Sequence, residues 1–386
     1  MQKVPVSWLQ LTHNKARFIV ALAGIAFATL LMFMQLGFQG ALYKTAVDIH
    51  QNMRADLILI DPRAENLYDV GLYRTFTKRY LTKSLEVDGI ETAYPLYVGF
   101  GHWKNPVEPR NRQILIFGCN PEKPCFNLPE VNQNLNKLKY DDVVLFDRLS
   151  KPVFGPIATE FKQGKNIATE VNDRKIKIGG LFSLGGSIFS ADGILITSDL
   201  NFSRLLQRPL EKVSVGLVKL KPNANIQKVL KNLTAKLPNG VKILTLESYM
   251  TREKDYWRQG SPIGSIFTIG TVMGFIVGSV IVYQVLYSEV SDHLAEYATL
   301  KAIGYSHKYL LKVVFQESLF LSVLGYIPGF AFSVLLYDLV VRIVRLPTEM
   351  EFVRAVFVLC LTILMCFIAG AFAVQKLQEA DPADIF

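Results

Sequence analysis

The residue types that most often perform catalysis are present in this chain, but their spacing matches none of the common catalytic or nucleotide-binding motifs. The sequence has no HExxH zinc motif, no GxSxG nucleophile motif and no CxxC pair. Gly164 and Lys165 are adjacent, but the upstream glycine and the Ser or Thr of a P-loop are missing. The five histidines are far apart: His13, His50, His102, His293 and His307. We therefore expect no enzymatic activity, no metal site, no cofactor and no ATP hydrolysis by this chain.

Two cysteines could form a covalent bond. Cys119 and Cys125 flank the short stretch NPEKP, in a part of the chain that we expect to lie outside the cytoplasm. An oxidising compartment and a short loop favour a disulfide between them. Two free thiols are the alternative, and the sequence leaves both open.

One acidic residue lies about one turn inside an apolar run. A carboxylate in the bilayer core is costly, so Glu317 needs an explanation. Its side chain could reach back toward Lys308 or Lys312 at the membrane surface. It could instead tie the preceding polar turn to the apolar run.

Three glycines repeat at a spacing of four residues. Gly270, Gly274 and Gly278 give two overlapping GxxxG frames on one face of a helix. Small residues allow two helices to approach closely in lipid. The close contact would form either between two copies of the chain or within one copy.

These residues must be positioned by membrane helices. Half of the 386 residues are hydrophobic, and the mean hydropathy is +0.25. About 20 apolar residues span a bilayer. Four runs are long enough: residues 18–42, 263–287, 313–341 and 352–374. The sequence thus predicts a multi-pass α-helical membrane protein with four transmembrane helices.

The orientation follows from basic residues near the apolar runs, because such residues favour the cytoplasmic side. They lie before the first run, between the second and third, and after the fourth: Lys3, Lys15, Arg17, Lys301, Lys308, Lys312 and Lys376. Arg342 and Arg345, opposed by Glu349 and Glu351, give a weaker contrary signal. We expect both termini in the cytoplasm and the long segment between the first two runs outside.

That long segment has the character of a soluble domain. Strand patterns occur at residues 56–60, 92–100, 113–117, 143–146, 174–182, 194–197, 213–220 and 242–246. Helix patterns occur at residues 74–85, 200–207, 226–237 and 249–258, with Ser198, Asn225 and Ser248 as expected N-caps. Helices and strands interleave without a strict βαβ rhythm, which favours an α+β domain. It holds 32 Lys and Arg against 23 Asp and Glu, which indicates either an anionic partner or a solvated surface.

The expected domain organisation has three parts. Residues 1–43 form an amphipathic interfacial helix, with Val4, Trp8 and Leu11 on one face, and the first transmembrane helix. Residues 44–262 form the periplasmic α+β domain. Residues 263–386 form a domain with three transmembrane helices and a short cytoplasmic helix at about 288–306.

The polar stretch at residues 288–317 is the part of the chain best placed to receive a push from a cytoplasmic partner. Leu294, Ala298 and Ala302 have helical spacing, and Gly304 stands where a left-handed C-cap favours glycine. Ser306 can cap the next helix. The alternative is an ordinary connecting loop that happens to be helical.

The residues of this stretch resemble the signature of the FtsX/MacB-like ABC transporter permeases. The resemblance is carried by Glu296, Leu300, Lys301, Ala302, Ile303, Gly304 and the trailing Glu317. Within that family the chain looks most like the cyanobacterial DevC-type permeases, through residues 8–38 and the ending DPADIF at 381–386.

The resemblance implies a non-catalytic permease subunit of a tripartite exporter in a cyanobacterial inner membrane. Its partners would be a second copy of itself, a separate cytoplasmic ABC ATPase that docks on the coupling helix, a periplasmic membrane-fusion adaptor and a TolC-like outer-membrane protein. Its cargo would be a membrane glycolipid, and no nucleic acid would be involved. Two rival functions share the signature: release of lipoproteins to a periplasmic carrier, and FtsX-like signalling that controls wall hydrolases.

Overall fold

The computed structural model describes residues 14–108, 110–185, 192–237, 240–292, 307–344 and 346–378, the side chains of 307–311 and 376–378 excepted. The chain divides into two compact units, which are described separately. The helical unit is Met1–Ala41 with Pro262–Phe386, and the α+β unit is Leu42–Ser261. The predicted interfacial helix at residues 4–15 lies almost wholly outside the described residues. The ending at 381–386 lies wholly outside them.

The elements are named in chain order. The helices are α1 Lys15–Gln51, α2 Leu67–Leu72, α3 Arg79–Ser84, α4 Pro129–Gln133, α5 Ile157–Lys162, α6 Asp199–Leu206, α7 Ile226–Lys236, α8 Leu246–Asp255, α9 Pro262–Asp292, α10 His307–Val344 and α11 Phe352–Gln378. Short 3₁₀ helices lie at Leu135–Lys139 and Pro152–Phe154, and a π-helix at Tyr256–Gly260. The strands are β1 Leu57–Ile60, β2 Phe76–Thr77, β3 Ile90–Lys104, β4 Asn111–Cys119, β5 Val143–Asp147, β6 Ala168–Val171, β7 Arg174–Phe182, β8 Ile194–Ser198, β9 Lys212–Val213, β10 Val215–Leu220 and β11 Lys242–Thr245.

In its described part, the helical unit contains four helices that are long and apolar enough to cross a membrane: α1, α9, α10 and α11. Inward residues of all four helices form an apolar core that includes Ile25, Leu286, Leu321 and Met365. A second, smaller core contains Met32, Phe33 and Val358. Many of their other apolar side chains are exposed, among them Ile266. Water would disfavour such a surface, whereas lipid does not, so the four helices suit a bilayer.

The α+β unit is built on a nine-stranded mixed sheet in the order β11-β1-β10-β3-β4-β8-β5-β7-β6. The pairs β4–β8 and β5–β7 are parallel, and the other neighbours are antiparallel. The four residues of β1 are all apolar because both faces of this strand are buried. Leu57 and Leu59 enter the core on one face, while Ile58 and Ile60 enter a second core on the other face. A strand buried on both faces has no polar positions.

Local structure agrees with the predicted patterns at most positions. A strand lies at each of the eight predicted places, and the α+β class is confirmed. Ser198 and Asn225 cap α6 and α7, as predicted, by accepting the amide protons of Asn201 and Lys228. Ser248 was the wrong cap for α8, because Thr245 accepts the Ser248 amide and starts the helix earlier.

The predicted helix at residues 74–85 is wrong in its first part. Residues Phe76–Thr77 form β2, which pairs with β9, and only Arg79–Ser84 is helical. The predicted strand at residues 213–220 is interrupted at Ser214, whose hydroxyl accepts the amide proton of Val98. Tertiary contacts determine the structure at both places, and the local sequence carries no information about those contacts.

Candidate functional site

The predicted coupling segment falls largely outside the described residues. Glu296, Leu300, Lys301, Ala302, Ile303 and Gly304 lie in the interval 293–306. The structure describes its two flanks, which are the end of α9 at Asp292 and the beginning of α10 at His307. Their assignment as coupling residues stays a prediction.

An ion pair joins two helices at this end of the helical unit. Arg17, near the beginning of α1, pairs with Asp292 at the end of α9. Both side chains are partly exposed, so the pair contributes little to stability by itself. It does place the amino-terminal end of α1 beside the polar end of α9.

Glu317 is fully buried within the helical unit. Neither carboxyl oxygen accepts a hydrogen bond in the described part of the chain. Lys312 is exposed and does not pair with it, so the expected reach of Glu317 toward Lys312 is not seen. The side chain of Lys308 is not among those described. Glu317 therefore sits in α10 as a buried acid, at a place where lipid or protein surrounds it.

A second buried acid accompanies Glu317, and sequence reasoning missed it. Glu289 in α9 is also buried, and its charge acts on Glu317 across the two helices. Glu289 lies just beyond the apolar run predicted at 263–287, so it was counted with the polar loop. The helix continues to Asp292 and carries Glu289 into the packed bundle. Two acids near the flanks of the coupling segment make this end of the unit sensitive to charge.

The three glycines of α9 face helices of the same chain. A Cβ atom at Gly278 would overlap Met365 and Ala28, and one at Gly270 would overlap Gln35. A Cβ at Gly274 would lie 3.3 Å from Met32. The stripe thus brings α9 close to α1 and α11, while its use between two copies of the chain stays a prediction.

Polar contacts join α11 to α1 and to α10. The Thr29 and Thr362 hydroxyls lie 3.3 Å apart between α1 and α11. The Tyr326 hydroxyl donates to the Ala355 carbonyl at 3.0 Å. Such hydrogen bonds between membrane helices are each worth about 0.6 kcal/mol. The helical unit is consequently held together by both shape and polar contacts.

Cys119 and Cys125 are both buried free thiols in the same core of the α+β unit. The Cys125 Sγ lies 3.7 Å from the Pro95 carbonyl. Burial, and after it a hydrogen bond with Cys119, raises the pKa of the Cys125 thiol. The two sulfur atoms are therefore neighbours, and a disulfide between them stays a prediction.

The structure also brings together two ionisable residues that the sequence separates widely. His50 Nε2 lies 3.6 Å from Glu253 Oε2, and both side chains are buried. No local signal could have found this pair, because about 200 positions lie between its members. Among the described residues, no group of three or more His, Cys, Asp or Glu side chains could hold a metal ion.

Comparison with known proteins finds a family that matches most of the helical unit. Residues 267–382 match the family model described as FtsX-like permease, C-terminal. Residues 267–382 are therefore similar to an FtsX-like permease domain. The matched stretch begins within α9 and ends beyond α11. It contains the interval between α9 and α10 and the whole of α10. It therefore includes Glu317 and all three glycines, Gly270, Gly274 and Gly278.

Two solved structures are similar to about half of the chain. The periplasmic region of MacB from Actinobacillus actinomycetemcomitans is 12% identical with a TM-score of 0.35, covering 52% of this chain and 94% of that one. The extracellular domain of the noncanonic ABC-type transporter YknZ from Gram-positive bacteria is 11% identical with a TM-score of 0.35, covering 50% of this chain and 100% of that one. No curated protein matches the chain.

Proposed function

We propose that this chain is the membrane permease subunit of an ATP-driven exporter, and that residues 288–306 form its coupling helix. The observation that carries the proposal is the match of residues 267–382 to the FtsX-like permease domain. The matched interval contains Glu296, Leu300–Gly304 and Glu317, which resemble the signature of that family. The absence of a P-loop motif from the sequence supports a separate ATPase subunit.

In this proposal the chain transmits mechanical work and does not form a polar channel through the bilayer. The ATPase docks on the coupling helix, and its nucleotide-driven closure moves α9 and α10. The four apolar helices contain stretches of 18 residues with at most two charged side chains, which supports a role without a hydrophilic path. The motion reaches the α+β unit, which faces the periplasm and displaces a lipidic cargo into an adaptor and a TolC-like duct. We propose a glycolipid as cargo and a homodimer as the working form.

The experiment is reconstitution of the full-length chain with its ATPase from the native membrane, followed by measurement of ATP hydrolysis. Glu296→Lys reverses a charge on the docking face, and Gly304→Val introduces a β-branched residue where a left-handed C-cap is expected. Both variants should insert normally and lose stimulation of the ATPase. Glu247→Lys is the matched control, because Glu247 is exposed in α8 and far along the chain from the coupling segment.

The outcomes separate the proposal from its rivals. Parental ATPase activity in both coupling variants would show that residues 288–306 only connect two helices. Co-purification with a membrane-fusion adaptor supports the exporter. Co-purification with a lipoprotein carrier, or with a wall hydrolase and no cargo, would replace the exporter by lipoprotein release or by signalling.

A further inference from the structure

The α+β unit has a neck where the chain enters it and leaves it. We define the neck as residues 46–51, at the end of α1, and residues 246–260, which comprise α8 and the π-helix. π-Helices are rare and are frequent at functional sites. The neck is the part of the unit through which the chain connects to α9 and to the first part of α1, so its packing matters beyond its size.

One buried polar cluster joins the two halves of the neck. His50 from α1 faces Glu253 from α8 at 3.6 Å, which is too long for a hydrogen bond. The ring of Tyr249 packs edge-to-face on the His50 ring, with centroids 4.7 Å apart. Glu253 is held in place by two donors, the Leu67 amide and the Trp257 indole, each at 2.9 Å. The carboxyl group is thus fixed, and the imidazole lies directly beside it.

Among the described residues, three polar atoms of this cluster make no well-formed hydrogen bond. Within the described residues, neither ring nitrogen of His50 makes a well-formed hydrogen bond, and the Tyr249 hydroxyl makes none. The Ala46 carbonyl only approaches the imidazole. Buried polar groups without partners are rare in native proteins, and each lowers stability. Their concentration at one carboxyl group means that the closed neck retains a polar site that water would satisfy.

Burial acts on the two ionisable groups in opposite directions. His50 belongs to the α+β unit, beyond the apolar run that ends at residue 42, and burial lowers its pKa to about 4. Burial raises the pKa of Glu253 to about 7, with the indole and amide donors opposing the rise. Two further charges face Glu253: Asp69 raises its pKa and Arg252 lowers it. Between about pH 4 and pH 7 the buried pair therefore holds one proton, on Glu253.

When the pair is exposed to water, it also holds one proton over most of this pH range. The ordinary pKa values are 4.5 for Glu and 6.5 for His, so between these values the free pair is a carboxylate and an imidazolium. The closed and the hydrated pair then differ in where the proton lies and not in how many protons are bound.

We propose that His50 and Glu253 form a latch between the two halves of the neck, which stays neutral while the neck is closed and becomes an ion pair when water enters and one proton moves from Glu253 to His50. The proton leaves a Glu253 carboxyl oxygen and binds His50 Nε2. The neutral pair becomes an ion pair, and no proton is exchanged with solvent. The latch rests on the fold of the α+β unit and is independent of the proposed export function.

Each partner alone would make the stability of the closed neck depend on pH, in opposite directions for the two residues. Without His50, the raised pKa of Glu253 gives stability that is full below pH 4.5 and is lost as the pH rises through 7. Without Glu253, the lowered pKa of His50 gives stability that is full above pH 6.5 and is lost as the pH falls through 4. With both present, the two dependences cancel between pH 4.5 and 6.5.

The test is amide hydrogen exchange of the full-length protein in lipid nanodiscs, read in the neck peptides and corrected for the intrinsic pH dependence of exchange. In the parent protein we expect the opening constant of the neck to change by less than about threefold between pH 4.5 and 6.5. In His50→Gln it should increase about tenfold for each unit of rising pH. In Glu253→Gln it should increase about tenfold for each unit of falling pH.

Three comparisons make the result decisive. The double variant should again be independent of pH, and Glu247→Gln, an exposed acid on the same helix, should follow the parent. Tyr249→Phe keeps the ring and removes an unpartnered hydroxyl, so it should reduce opening at every pH. A parent profile that already slopes tenfold per unit, or parallel profiles in all variants, would overturn the proposal. A sloping parent profile overturns the proposal even if a charge variant fails to fold.

Discussion

At the scale of single residues, Glu317 is the clearest conflict between stability and a predicted role. A buried carboxyl group without a hydrogen bond lowers stability by about 1–3 kcal/mol. The neighbouring Glu289 adds a like charge. An arrangement of this kind persists when function requires it, and Glu317 is the trailing acid of the signature that we assign to coupling.

Replacing Glu317 by Met should therefore separate stability from function. The substitution keeps the length of the side chain and removes two oxygens that make no hydrogen bond with the described residues, so the free energy of unfolding should rise by about 1 kcal/mol. Stimulation of the partner ATPase should fall at the same time. The measurements are thermal unfolding and ATP hydrolysis, with Glu351→Met as an exposed control. A lower thermal midpoint would mean that the carboxyl group has a stabilising partner.

The neighbouring thiols of Cys119 and Cys125 are expected to be bridged in the native membrane. The loop between them is short, and a disulfide across it would stabilise the α+β unit by about 2 kcal/mol. Mass spectrometry of unreduced peptides should recover the two cysteine peptides linked to each other. Complete alkylation of both thiols without reductant would show that they stay free.

At the scale of elements, the sequence predicted what local pattern determines and missed what distant contacts determine. Strands β1, β4 and β8 were predictable because they are buried on both faces and read as continuous apolar runs. The two-residue strand β2 and the strand β6 exist only because β9, β3 and β7 pair with them. The same holds for the candidate sites. Glu317 stands out as an acid in an apolar run, whereas nothing in the sequence around His50 indicates that Glu253 lies beside it.

The glycines of α9 give a graded prediction about helix packing. A methyl group at Gly278 meets Met365 and Ala28, whereas at Gly274 the nearest atom is 3.3 Å away, in the flexible Met32 side chain. Gly278→Ala should destabilise the helical unit by about 1–3 kcal/mol, and Gly274→Ala should change it far less. Thermal unfolding in detergent compares the two variants. Equal midpoints would place the close contact elsewhere, for example between two copies.

At the scale of the whole molecule, the main expectation is that the α+β unit and the termini lie on opposite sides of the membrane. Four membrane-crossing helices require both termini to share a side. The basic residues near the apolar runs favour the cytoplasm as that side. We then expect the polar segment between α1 and α9 to lie outside.

Labelling of introduced cysteines tests this topology in a background without the four native cysteines. Asn166→Cys lies at an exposed position of the α+β unit and should react with an impermeant reagent added to intact spheroplasts. Asp384→Cys, near the carboxyl terminus, should react only after the membrane is permeabilised. The reverse pattern would invert the orientation.

The position of β1 in the sheet has a consequence for the order in which the polypeptide is synthesised. Leu57 pairs with Val218 on one side and Thr245 on the other, so both neighbours of the first strand are the last two strands of the α+β unit to leave the ribosome. Until then β1 presents two open edges, which can pair with other chains. Closing loops of this length also slows folding. A nascent chain that has not reached β11 is therefore the form of this protein most exposed to aggregation, and most dependent on a chaperone.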